Sequence, residues 1–306
     1  MKQRIITSIG LAVLAGVSLV TPALAVVSMS WTTWTTIGNV NNLADSTGYG
    51  AVDHAYKIGT YEVTNAQYVD FLNAKGASNS SGIYNSTMGT AGTYGSNITR
   101  SGVSGSYSYS VGSTYANMPV VGVTWFDAAR FSNWLGNGQG SASMETGAYT
   151  LNGATSGIIM VNLGAMVYIP SENEWYKAAY YNATTSTYSL YPNGRNTITT
   201  ADANYYPSAT GLVNVGYGTP SSYGTYGQGG NAWEWHEAVI SGSNRGLRGG
   251  SWLDDVDSLV SSSRNYFGPS RENDVIGFRV ASVIPEPSCV VLTLLASGVL
   301  VTRRKR

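Results

Sequence analysis

The sequence predicts a loop-rich α+β fold. Three observations carry that reading. Glycine fills 37 of 306 positions and tyrosine 22, while charged residues make up only 11%, against roughly 25% in an average soluble domain. Hydrophobic residues at 43% suffice for a packed core, which argues against disorder. Apolar periodicity marks only short helices, each opened by a capping sequence and separated by long Gly-, Ser-, Thr-, Asn- and Tyr-rich stretches.

The elements follow in chain order. Residues 56–63 alternate loosely and predict a strand. Thr64 and Gln67 then form a capping box, with Tyr68, Phe71 and Leu72 on one helical face. Residues 76–116 read as a long loop. A strand is expected at 118–123, leading into a second helix opened by Thr124 and Asp127, carried by Ala128, Phe131 and Leu135, and stopped at Gly136. Another strand, at 165–169, leads through Pro170 into a third helix. Ser171 and Glu174 open it, and Trp175, Ala178 and Ala179 form its apolar face. A second long loop covers 181–230. Strands at 247–252 and 277–283 complete the core. Trp175, Trp233 and Trp235 are expected inside it. Aromatic residues stud both long loops and can pack them down.

The ends read as addresses rather than fold. Lys2 and Arg4 precede an apolar run over 5–20, and Ala23 and Ala25 form a small-x-small cleavage site. Residues 1–25 are therefore expected to be a secretory signal, with a retained anchor as the alternative. At the other end, Pro285-Glu286-Pro287 precedes an apolar stretch over 289–301 and the basic cluster Arg303-Arg304-Lys305-Arg306. This resembles the bacterial PEP-CTERM sorting tag. The resemblance implies a membrane helix within 284–306, held briefly in the inner membrane with its basic end cytoplasmic. It also implies a dedicated sorting protease of the exosortase type, and delivery to the cell surface or outside. A plain C-terminal anchor is the alternative.

Charge narrows the function classes. Lys+Arg and Asp+Glu are 17 each. Without the two ends, six bases and one acid fewer, 11 bases and 16 acids remain, a formal charge of −5. That balance argues against a nucleic-acid binder or an anionic-lipid binder. The single Cys289 excludes a disulfide framework and a Cys-rich zinc site, and two histidines, His54 and His236, leave little for a metal hydrolase. No Ser nucleophile elbow, phosphate loop or HExxH sequence is present.

Within residues 26–283, six blocks in order resemble the sulfatase-modifying-factor family, whose best-known member is the formylglycine-generating enzyme. They are Glu62-Val63-Thr64-Asn65-Ala66-Gln67-Tyr68, then Pro119-Val120 with Val123-Thr124-Trp125 and Asp127-Ala128-Ala129, then Pro170-Ser171-Glu172-Asn173-Glu174-Trp175. Gly230-Asn231-Ala232-Trp233-Glu234-Trp235, Arg248-Gly249-Gly250-Ser251-Trp252 and Gly277-Phe278-Arg279-Val280 complete the set. The resemblance implies the loop-rich variant of the C-type-lectin-like fold. The named enzyme oxidises a cysteine of its substrate with copper held by two cysteines. Those positions are Asp254 and Leu259 here, so neither can supply the thiolate that Cu(I) favours, and no copper is expected.

Two function classes follow. The first is a non-catalytic surface or ligand-binding module for a glycan or protein. In lectin-like relatives the segment matching 253–276 forms the binding face, which makes Trp252, Asp254, Arg264 and Arg271 the residues to test, with Arg279 structural. The second is an oxidoreductase of the formylglycine-generating type with a different constellation, requiring Ser251, Asp254 and His236 around one metal. By the same resemblance, calcium is a candidate cofactor. One site would draw on Glu234 with the carbonyls of Gly230 and Ala232, although Gly227 stands where an Asn ligand is usual. Another would begin at Asn204 and Tyr205.

Overall fold

A computed structural model describes residues 32–90, 92 and 94–284. The expected signal peptide and C-terminal membrane helix lie outside the described residues. In chain order the strands are β1 (Trp34–Ile37), β2 (Tyr56–Gly59), β3 (Ile98–Ser101), β4 (Ser108–Val111), β5 (Val167–Tyr168), β6 (Tyr181–Asn182), β7 (Thr187–Tyr188), β8 (Trp233–Ser241), β9 (Asn244–Arg248), β10 (Asn265–Phe267), β11 (Ile276–Gly277) and β12 (Ala281–Val283). The helices are α1 (Asn65–Lys75), α2 (Trp125–Gly136) and α3 (Glu172–Tyr180). Among the described residues no helix is long and apolar enough to cross a membrane.

The helices begin where the sequence places them. Thr64, Thr124 and Ser171 are N-caps, and each closes a capping box with Gln67, Asp127 or Glu174. Each cap satisfies backbone donors that the helix leaves orphaned, which stabilises it by about 1 kcal/mol. The end of α2 falls one residue later than expected: Asn137 caps it, and Gly136 instead lets the helix approach Val167.

Two four-stranded sheets carry the described fold, in the orders β1-β2-β12-β5 and β10-β9-β8-β11. Small hairpins, β3-β4 and β6-β7, break up the two stretches expected to be plain loops. The strand expected at 118–123 is instead a buried loop. It touches the first block through a single bridge, Thr64 to Pro119, and Gly122 turns it with φ +76°. Residues 277–283 divide into β11 and β12. Beyond β9, Gly249 and Gly250 take φ +102° and +75°, and the expected strand stops at Arg248.

The principal addition is β8, nine residues long and the partner of both β9 and β11. Its first four side chains are buried on both faces. Side chains alternate along a strand. Trp233 and Trp235 therefore face the main core, where α1 and α2 contribute Tyr68, Phe71, Phe131 and Trp134. Glu234 and His236 face α3.

Candidate functional site

The loop after β9 holds the residues that the sequence singles out. Ser251 is fully buried, and both its backbone N–H and its hydroxyl donate to Oδ2 of Asp254. The Trp233 indole N–H donates to the same oxygen at 2.9 Å. Asp254 thus fastens its own turn to β8. The backbone N–H of Tyr206 donates to the Asp254 carbonyl at 2.9 Å, which brings a second loop alongside. Leu259 is fully buried in an apolar cluster with Ala203 and Tyr205. Asp254 is therefore a turn-fastening carboxylate and Leu259 a core side chain.

Trp252 differs from its neighbours. It is buried against Met118, Val121, Leu212 and Ala232, at 7% exposure. Its indole N–H has no acceptor among the described residues. Tyr94, half exposed, covers its ring at 5.3 Å. Leu253 and Tyr206 are also exposed on these loops. Met118 and Leu212 continue into an open cavity of about 730 Å³.

The two arginines do not join this group. Arg264 forms a fork with Glu172, at 2.8 Å and 2.6 Å, and lies against the Tyr49 ring. Arg248 reaches the same carboxylate at 2.8 Å. Arg271 is exposed and lies 5.6 Å from the Phe267 ring. The candidates for one binding face thus separate into three contact groups. Only Trp252 and Asp254 share the turn that directly follows Gly249 and Gly250.

His236 is fully buried beside Glu172, 3.7 Å away. Burial pushes its imidazole down to about 3, with Arg248 and Arg264 adding to the effect against Glu172. It projects from the face of β8 opposite Trp233, the partner of Asp254. The constellation of Ser251, Asp254 and His236 is therefore not assembled. Among the described residues no group of three or more His, Cys, Asp or Glu is placed to hold a metal ion.

The residues expected around calcium form a buried network instead. Glu234 accepts from Arg279 through both oxygens, at 2.6 Å and 2.7 Å, and from the Trp175 indole at 2.7 Å. Arg279 also donates to the Gly59 and Tyr226 carbonyls. Asn204 donates to Gly211, and its carbonyl receives the Asn231 N–H. Glu62 lies against this network with Oε1 held by Asn231 and Oε2 3.9 Å from Arg279 but without a hydrogen bond among the described residues. Burial raises its carboxyl to about 7 against the pull of Arg279. The Glu62 carboxyl fills the space at Gly227, where a Cβ would come within 2.2 Å of it. The Arg279 guanidinium thus stands where a cation at Glu234 would stand, and the expected donor set does not fit calcium there.

A groove that the sequence reading missed lies beside α3. It holds about 770 Å³ between Tyr49, His54, Glu172 and Glu174 on one side and Ile158, Met160, Val161 and Val239 on the other. His54 bridges Glu174 at 3.1 Å and Asp53 at 2.8 Å. The Glu174 bond, opposed by partial burial and helped by Asp53, raises its imidazole to about 9. The only signal for this cluster was Glu174 in its capping box, and its second role depends on a loop 120 residues away.

Residues 39–284 match the family model of the sulfatase-modifying factor enzyme 1-like domain. The chain belongs to that family. Its fold is the loop-rich variant of the C-type-lectin-like fold. The serine/threonine-protein kinase pkn1 of Chlamydia caviae is 28% identical over 247 residues, covering 74% of this chain and 33% of that protein. Its counterpart in Chlamydia pneumoniae is 27% identical over 250 residues, 76% of this chain and 33% of that one. The chain therefore spans about a third of the length of these relatives. Among solved structures, CarF superposes with a TM-score of 0.55 at 23% identity, covering 83% of this chain and 99% of CarF. Treponema denticola variable protein 1 gives 0.56 at 23% identity, covering 83% and 95%.

Proposed function

We propose that this sulfatase-modifying-factor domain is a non-catalytic binding module, exported and sorted to the cell surface. The observation that carries the reading is the Trp252 indole N–H, nine-tenths buried and without an acceptor, beneath the exposed ring of Tyr94. A buried donor left unpaired is unfavourable by about 1–3 kcal/mol. A ligand oxygen at that point removes the penalty. Exposed aromatic faces beside a lone donor suit an uncharged polar ligand, and a glycan has that chemistry.

The rest of the loop supports binding rather than oxidation. Asp254 is engaged twice within its own turn and once by the Trp233 indole of β8, and Leu259 is sealed in an apolar cluster. Neither offers a soft ligand to copper. The Glu234 site takes no calcium in this reading, because Arg279 already neutralises Glu234. Export by the signal at 1–25, and processing at the C-terminal tag by an exosortase-type protease, place such a module outside the cell.

The test is an array of glycans and surface proteins probed with the mature domain and two variants. Trp252→Phe keeps the ring and removes the donor. Tyr94→Ala removes the cover. Both are expected to keep the wild-type melting temperature within a few degrees and to lose at least tenfold in affinity. Equal binding by all three proteins would exclude this face.

A further inference from the structure

The loop 157–164 exposes apolar side chains, three of which also wall the groove beside α3. Ile158 is 52% exposed, Met160 64%, Val161 39% and Leu163 106%. Ile159, between them, is half buried, and its carbonyl receives Arg245, which pins the loop at one point. No charged residue occurs between Glu145 and Glu172. Four exposed apolar side chains within one uncharged loop mark an interaction surface rather than ordinary scatter.

The described chain leaves the fold at the foot of this loop. Strand β12 runs antiparallel to β5, with Ala281 opposite Tyr168 and Ser282 opposite Val167. The Val283 N–H then donates to the Met166 carbonyl at 3.3 Å, and Ala165 is bonded back to Asn162. Each step along β12 therefore moves toward 162–165. Beyond Ile284 lie Pro285-Glu286-Pro287 and an uncharged run from Cys289 to Thr302, then four basic residues. From Ile284 to Cys289 five residues span at most about 18 Å. A bilayer entered by that run therefore lies within about 18 Å of the chain's exit beside Met166. As a helix, the run 289–302 is about 21 Å long, short of the roughly 30 Å hydrocarbon core, which keeps the folded domain close to the lipid surface.

We propose that loop 157–164 is a lipid-contact surface that inserts Met160 and Leu163 into the interfacial region of the bilayer while the C-terminal segment tethers the chain. The proposal rests on that segment entering a membrane. Insertion orients the tethered domain on its β5 edge.

The test uses the full chain with Cys289→Ser, reconstituted in vesicles of phosphatidylethanolamine and phosphatidylglycerol. A polarity-sensitive fluorophore is placed on Met160→Cys, or on Leu253→Cys as a control on the candidate binding face. The fluorophore at 160 is expected to emit at shorter wavelength with vesicles than in a non-denaturing detergent. Nitroxide-labelled lipid is expected to quench it at least threefold more than the fluorophore at 253. Co-flotation with equal, weak quenching at both positions overturns the proposal and leaves the tether standing. Failure to co-float removes the tether and the proposal together. A fluorophore at 160 that is blue-shifted yet unquenched by labelled lipid assigns the loop to a protein segment, the chain's own tail included, and also overturns it.

Discussion

Arg279 lies wholly inside the protein, with Glu234 gripping it by both oxygens and Glu62 3.9 Å away. A buried charge of this kind is tolerated only when paired and fully hydrogen-bonded. Its partners come from β8, from the turn after β2 and from the Tyr226 loop, so one side chain closes three segments. Arg279→Met strands two carboxylates in the core. The expected loss is about 3–5 kcal/mol, read as a lower urea midpoint at unchanged slope. A loss below about 1 kcal/mol would show that the network is dispensable. The sequence marked Arg279 as structural through its motif. It could not show that the same guanidinium pairs with Glu234, because that depends on which way two buried side chains from distant blocks turn.

The elements show where local signals suffice and where they fail. The three helix starts were legible because a capping box is written within four residues. Strand β8 was not, because Trp233, Glu234, Trp235 and His236 are all buried and no apolar–polar alternation survives. The misread strand at 118–123 has the opposite cause: an apolar run that Pro119 and Gly122 bend into a buried loop. Strand β8 also bulges, with three residues from His236 to Ala238 facing Gly246 of β9. A Cβ at Gly246 would meet the His236 ring at 1.9 Å. Gly246→Ala is expected to destabilise by about 1–3 kcal/mol, and adding His236→Ala should recover most of it. Additive losses in the double variant would show that the two positions do not touch. Helix α3 has its own reporter. The folded protein holds His54 protonated up to about pH 9, while the unfolded chain releases that proton near its ordinary 6.5. Stability from the His54–Glu174 pair is therefore complete below pH 6.5 and declines as pH rises through 9. Melting curves should show that decline in the wild type and not in His54→Asn. Parallel curves would remove the pair from the account.

At the scale of the whole molecule, the chain keeps the family scaffold, and the proposed binding role rests on the loop after β9. The blocks that carried the resemblance are mostly buried framework: Trp175, Trp235, Arg248 and Arg279 are each at 1% exposure or less. They report the fold reliably because packing constrains them, and for the same reason they say little about activity. The binding candidates split for a physical reason. Glu172 at the start of α3 captures Arg264, while Trp252 and Asp254 turn toward β8 and the Tyr94 loop. Sequence proximity within 253–276 could not reveal that division. The most direct test of the central claim is to load the purified mature domain with copper, remove excess metal, and measure both bound copper and conversion of a peptide cysteine to formylglycine. The account predicts well under 0.1 copper per chain, about the background of adventitious binding, and no aldehyde product. One copper per chain, or any formylglycine above a metal-only control, would contradict it.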